Sequence, residues 1–336
     1  MIDFQNIKKI SVLAVAFVLN IGGVMEAREI DPPFGVHEHV FEPLSVMCDL
    51  CGCSTSSGSF GFGTLSNANF VGIRYIYQNF ESKDGIFSNS PITKETFNTY
   101  QLWAQLPINN AFYVSVNVPY QDLNREYSEG NNEDLNGLGD SSVMGWYKLQ
   151  FYKKESDSLT FNTERIASGH SLQFGVGAKL PTGKFEEALA DNVNPGFQVG
   201  TGSVDGVFAV GYNYGTNKFG VNTLMTYYLK GENKNDYQFG NQFSYSANFF
   251  TTFPKETYNI MPFIGGVSGD VYDKITQYGE TLADTDGKIL SGTIGSEFAI
   301  EKFIFGANYT APLSQDLFGG NVKSKNRFSI YVNFAL

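Results

Sequence analysis

RFSIYVNFAL, residues 327–336, alternates without a slip between polar and apolar side chains. Phe328, Ile330, Val332, Phe334 and Leu336 fall on one face, and Arg327, Ser329, Tyr331 and Asn333 fall on the other. Successive side chains of a strand point to opposite faces. A period of two therefore sets one face against something apolar and the other against something polar. AFYVSVNVPY (111–120) and SLQFGVGAKL (171–180) follow the same rule. In the second, Leu172, Phe174, Val176, Ala178 and Leu180 oppose Ser171, Gln173, Gly175, Gly177 and Lys179.

Outward from these stretches the pattern recurs. It predicts twelve strands, at about 68–80, 96–108, 111–121, 140–152, 169–181, 202–214, 218–230, 239–253, 257–270, 289–301, 303–313 and 326–336. Each is long enough to cross a bilayer, since a tilted strand needs about 9–11 residues. The connectors differ by side. Asn109-Asn110, the Thr216-Asn217 turn, Pro254-Lys255-Glu256 and Lys302 are tight, whereas 81–95, 122–139, 182–201, 231–238, 271–288 and 314–325 are longer and mostly polar. Short turns at one end and long polar loops at the other describe an all-β, antiparallel transmembrane β-barrel of an outer membrane. An even strand number brings both barrel ends to the turn side, expected to be periplasmic. The connector 153–168 is too long for an ordinary turn, and as a strand pair it would raise the count to fourteen. Tyr75, Tyr77, Tyr120, Tyr212, Tyr214, Tyr227 and Tyr228 are expected at the membrane interfaces.

Composition agrees. Charged residues make up 17% and aromatic residues 15%, while mean hydropathy is only -0.18. That value excludes a bundle of apolar helices, each of which needs about 20 consecutive apolar residues. A net charge of -11 argues against nucleic acid as a partner. At the N-terminus, Lys8 and Lys9 precede an apolar run to Leu19 and small residues up to Ala27, so 1–27 reads as a cleaved export signal. Expected partners are outer-membrane lipid, the barrel-insertion machinery and a small solute.

Three short motifs carry a family resemblance: Gly139-Asp140 inside GLGDSSVMGWYKL (137–149), KLPTGKF (179–185), and Gly202-Ser203-Val204-Asp205 opening the strand that follows. Their succession resembles the outer-membrane family associated with meta-pathway phenol degradation, which is similar in layout to the channels for hydrophobic compounds. The resemblance covers about 135–336 well and 65–134 by pattern alone. It implies a barrel and passage of a small molecule. It implies neither phenol as the substrate nor any catalytic residue.

Residues 28–67 depart from the barrel pattern. All three cysteines, Cys48, Cys51 and Cys53, lie close behind His37 and His39. Thiolates two residues apart can share a soft or borderline metal, with Cu or Zn the candidates. A disulfide leaving one thiol over is an equal alternative. The segment reads as a plug or a periplasmic extension, and the barrel as 68–336. Within the barrel, alternation turns Arg74, Lys148, Lys179, Asp205, Glu297 and Arg327 to the lumen. It also suggests Arg74 beside Arg327 across the seam and Lys148 near Lys179. His170 and Ser171 are adjacent, so they face opposite ways and cannot form a nucleophile–base pair. No enzyme is expected. A channel for small solutes is the leading reading, ahead of an outer-membrane protein that binds Cu or Zn through the N-terminal cysteine segment and of a closed structural surface barrel.

Overall fold

The computed structural model describes residues 69–83, 91–128, 130–151, 169–189, 192–216, 218–254 and 258–336. Twelve staves form the wall. They are β1 (Phe70–Lys83), β2 (Ile92–Pro107), β3 (Phe112–Glu126), β4 (in two pieces, Asn132–Leu138 and Ser141–Gln150), β5 (Gly169–Leu180) and β6 (Asp205–Gly215). The others are β7 (Phe219–Leu229), β8 (Gln242–Thr251, followed by Phe253–Pro254), β9 (Tyr258–Tyr272), β10 (Gly287–Ile300), β11 (Phe303–Leu317) and β12 (Val322–Ala335). Each pairs antiparallel with the one before it, and β1 pairs with β12, so the sheet closes. The two ends of the barrel meet at this seam, where Leu336 N–H donates to the Asn69 carbonyl at 2.9 Å. Closure matters because a backbone polar group left unpaired in lipid costs several kcal/mol.

The burial pattern is the reverse of a soluble sheet. On β12, Phe328, Ile330, Val332 and Phe334 are 40–45% exposed, while Ser329, Tyr331 and Asn333 are 5%, 4% and 0% exposed. The greasy face looks out and the polar face looks in, as a cylinder in lipid requires. Tyr228 is a correction: it is buried inside the barrel and only its neighbour Tyr227 faces out. Two adjacent strand residues cannot share the outer girdle.

The twelve expected strands all exist, but many are longer at the loop end than alternation alone indicates. Within the expected loops 81–95, 122–139 and 314–325 the flanks continue as paired hairpins, 81–83 against 92–94, 122–126 against 132–136, and Leu317 against Val322. Beyond the membrane both faces of a hairpin meet water, so the ladder continues after the apolar alternation has stopped. The connector 153–168 lies outside the described residues.

Register shifts interrupt several pairings, and the widest among the described residues is at one seam. Between β11 and β12 the register jumps from Thr310 opposite Arg327 to Leu317 opposite Val322. The Gln315 side chain fills part of the gap, donating to the Ser324 carbonyl at 3.0 Å and accepting from Ser324 N–H at 2.8 Å. An amide side chain here stands in for the missing peptide of the ladder.

Candidate functional site in the barrel interior

The expected lumen charges fall into separate groups. Near the turn end, Arg74 Nε donates to Gln101 Oε1 at 2.8 Å, and its guanidinium lies 4.4 Å above the Trp103 ring. Trp103 meets Phe70 and Tyr331 edge-on, at 4.5 and 5.9 Å between ring centres. Tyr331 donates its hydroxyl to Glu297 Oε2 at 2.7 Å. Tyr331 and Glu297 sit on β12 and β10, with Gly306 of β11 between them in register. A Cβ on Gly306 would lie 2.0 Å from the Tyr331 ring. Glycine there is what lets the ring lie across β11 and reach the carboxylate.

Arg327 is half-buried and lies opposite Gln78, while Arg74 lies opposite Tyr331. The two arginines are thus four positions apart along the seam, about 13 Å at strand spacing, and are not direct neighbours. Lys148 lies opposite Gln173 and Lys179 opposite Ser142, so these lysines are six positions apart, about 20 Å. Pairing register sets these distances, and alternation does not reveal register. His170 is exposed and contacts the Tyr212 hydroxyl through Nδ1 at 2.6 Å, while Ser171 is buried on the other face.

The most elaborate group lies at the loop end. Lys179 Nζ is 2.8 Å from Asp140 Oδ2 and 3.2 Å from Asp205 Oδ2, and Lys230 Nζ is 3.4 Å from the same Asp205 oxygen. All four side chains are at least nine-tenths buried. Two acids and two bases alternate, so no net charge is buried. The backbone and hydroxyls complete the set. Asp140 Oδ2 accepts from Thr201 N–H at 2.9 Å and from the Thr201 hydroxyl at 2.6 Å, and Oδ1 accepts from Gly183 N–H at 3.0 Å. Asp205 Oδ1 accepts from the Ser203 hydroxyl at 2.8 Å and from Gly231 N–H at 3.1 Å. Gly139-Asp140, Lys179-Leu-Pro-Thr-Gly and Gly202-Ser203-Val204-Asp205 are far apart in sequence, yet they converge on this one cluster. Alternation marks Lys179 and Asp205; it misses Asp140, Thr201 and Lys230, which stand at strand ends or in a loop.

The cluster anchors the connector between β5 and β6, whose described arms, 181–189 and 192–204, turn inward. Gly200 N–H donates to the Lys184 carbonyl at 2.9 Å, and a Cβ on Gly200 would lie 2.5 Å from the Gly183 backbone, so the two arms pack main chain to main chain. Gln198 braces the arms, accepting from Glu187 N–H at 3.1 Å and donating to the Glu187 carbonyl at 2.9 Å. The turn thus formed places Phe197 at 0% and Val199 at 1% exposure. Phe197 lies 3.9 Å beneath the Arg125 guanidinium and 5.9 Å from the Phe97 ring. Arg125 is itself ion-paired with Glu95 at 2.9 Å. Phe197 and Val199 join Phe80, Phe97 and Leu123 of β1–β3, Ile289, Leu317 and Val322 of β10–β12, and Tyr237, Phe239 and Ile275 of two further loops. The wall residues come from β10–β12 and β1–β3, one continuous side through the β1–β12 seam, and the connectors after β5 and β7 reach across to meet them, so the layer crosses the loop end of the barrel.

Above the layer lies a cavity of about 290 Å³ lined by residues of three loops, among them Phe185, Thr201, Asp236, Tyr237, Phe239 and Tyr278. At its rim Lys234 pairs with Glu186 at 2.6 Å. Hydrogen bonds from Lys234 and Asn235 hold the Glu186 carboxyl below its usual range. Cys48, Cys51, Cys53, His37 and His39 lie outside the described residues.

A closed twelve-stranded barrel, apolar outside and polar within, has the fold of an outer-membrane channel. The family described as "Putative MetA-pathway of phenol degradation" matches residues 90–309. That match spans well over half of the chain, and the chain belongs to this family. No curated protein matches it. Among solved structures, the COG4313 outer membrane channel from Pseudomonas putida F1 aligns at a TM-score of 0.52 with 12% identity, over 80% of this chain and 96% of that one. The beta domain of the Bordetella autotransporter BrkA aligns at 0.47 with 9% identity, over 80% and 100% of the two chains. A Pseudomonas aeruginosa FadL homologue aligns at 0.40 with 10% identity, over 87% and 98%.

Proposed function

We propose that the protein is a gated outer-membrane channel for small solutes, with the barrel interior as the path and the inward segment 181–204 as the gate. The observation that carries this reading is the placement of Phe197 and Val199 in an apolar layer across the loop end, on a segment held by a neutral cluster of buried charges. A barrel whose sole task is structural gains nothing from a polar interior capped by a loop with its own tether. The turn end and both barrel ends face the periplasm in this proposal, and the long loops face outward. The solute enters past the layer when the segment swings out, then moves along a lumen of mixed polarity.

Swelling of reconstituted liposomes tests the proposal. Vesicles carrying the protein should swell in small uncharged solutes faster than protein-free vesicles, with rates falling as solute mass rises. Swelling equal to that of protein-free vesicles for every solute would overturn it.

A further inference from the structure

The cavity above the apolar layer is built differently from the lumen. Tyr237 and Phe239 form its floor, both 7% exposed, in edge-to-face contact at 5.0 Å. Tyr278 stands at its edge with 72% of its surface exposed. A three-stranded loop sheet holds these parts together: Tyr237–Gln238 pairs with Thr276–Gln277, which pairs with Glu280–Thr281. Tyr278 N–H donates to the Asp236 carbonyl at 2.8 Å, placing these two residues side by side.

Both residues are left-handed, Asp236 at φ 52° and Tyr278 at φ 53°. That conformation is unfavourable for a residue with a side chain as large as tyrosine. Tyr278 and Gly279, at φ 53° and 77°, are the two central residues of the turn between Thr276–Gln277 and Glu280–Thr281, where a tight hairpin takes positive φ at both. Here it puts one aromatic ring and one carboxylate at the same cavity. Among the described residues the Asp236 carboxylate has no hydrogen-bond or ion-pair partner. The field agrees in sign, because the connectors 181–204, 230–241 and 273–286 carry nine acidic residues against four basic ones. Cation–π contact is already in use at the rim, where the Lys234 ammonium lies 5.4 Å from the Phe185 ring while paired with Glu186.

We propose that this cavity captures a small organic ammonium ion, its charge balanced by Asp236 and its alkyl groups packed on Tyr237, Phe239 and Tyr278. Ring faces attract such cations more strongly as water is excluded. The proposal rests on the channel reading and deepens it, since it makes the cavity a loading site above the gate.

The test is binding to the full-length protein in detergent, where no flux is measured, so its failure is distinct from failure of the channel reading. The probe is choline chloride, compared by saturation-transfer NMR with its uncharged isostere 3,3-dimethyl-1-butanol. Choline should bind saturably and about tenfold more tightly than the isostere. Asp236→Asn and Tyr278→Asn should each weaken choline by about tenfold. Asparagine tolerates a left-handed backbone, so both variants keep the loop conformation. Equal affinity for choline and the isostere would show a site for neutral solutes and overturn the proposal. So would choline binding unchanged by Asp236→Asn.

Discussion

Lys179→Met should lower the stability of the barrel and raise its conductance together. Among the described residues Lys179 is the cation ion-paired with Asp140, and it shares Asp205 with Lys230. Methionine keeps much of the volume and removes the charge, leaving the Asp140 side chain, 1% exposed, without its ion pair. An uncompensated buried charge costs about 3–5 kcal/mol. The expected result is a clear drop in the temperature at which the folded, fast-migrating band is lost on unboiled gels. Conductance should rise because Asp140 also holds Thr201 and Gly183, the two roots of the inward segment. Lys184→Met is the control, since its ion pair with Glu187 is exposed. Exposed pairs of this kind contribute little, so the control should shift neither quantity. A fall in stability without a change in conductance would separate the cluster from the gate.

Arg125→Met should have an effect of similar size by a different route. Arg125 is 1% exposed and lies between the Glu95 carboxylate and the Phe197 ring. Removing it takes away the guanidinium that is ion-paired with Glu95, itself fully buried, at a cost of about 3–5 kcal/mol. It also removes the cationic face on which Phe197 rests. A loosened tip and an intact root should give a channel that flickers between closed and open levels. Lys179→Met loosens the root and should give longer openings. Single-channel recording distinguishes the two, and identical dwell times would argue against separate roles for tip and root.

Much of the barrel is legible in the sequence, because lipid outside and water inside impose the same alternation on every stave. β12 shows why: Phe328 to Phe334 and Ser329 to Asn333 can each satisfy only one face. What alternation does not encode is register, which comes from pairing across the sheet. Lys148 and Lys179 therefore read as close but stand six positions apart, and Arg74 lies opposite Tyr331, with Arg327 further along the seam. The hairpin extensions at 122–126 and 132–138 are hidden for another reason: beyond the bilayer both faces are polar and the period-two signal fades.

The site is only half legible. Lys179 and Asp205 stand out as charges on otherwise apolar-alternating strands, which is a cue to an inward role. Asp140, Thr201 and Lys230 carry no such cue, because they sit at breaks where no pattern runs. The available signal was the set of glycine-rich motifs at 139–140, 179–183 and 202–205, whose glycines and small side chains let backbones approach closely. Phe197 and Val199 also alternate with polar residues inside a loop, an apolar pair that water would not favour. That pair is the mark of a loop that folds inward.

The gate is the claim on which the rest turns. Because Gly200 N–H already meets the Lys184 carbonyl at 2.9 Å, residues 185–199 can be excised and the ends joined through two glycines with the wall left intact. Single-channel conductance of this variant in planar bilayers, alongside the intact protein, is the direct measurement. The account predicts a folded, heat-modifiable barrel with a larger and steadily open conductance. A folded barrel that conducts no more than the intact protein would show that the segment does not close the path.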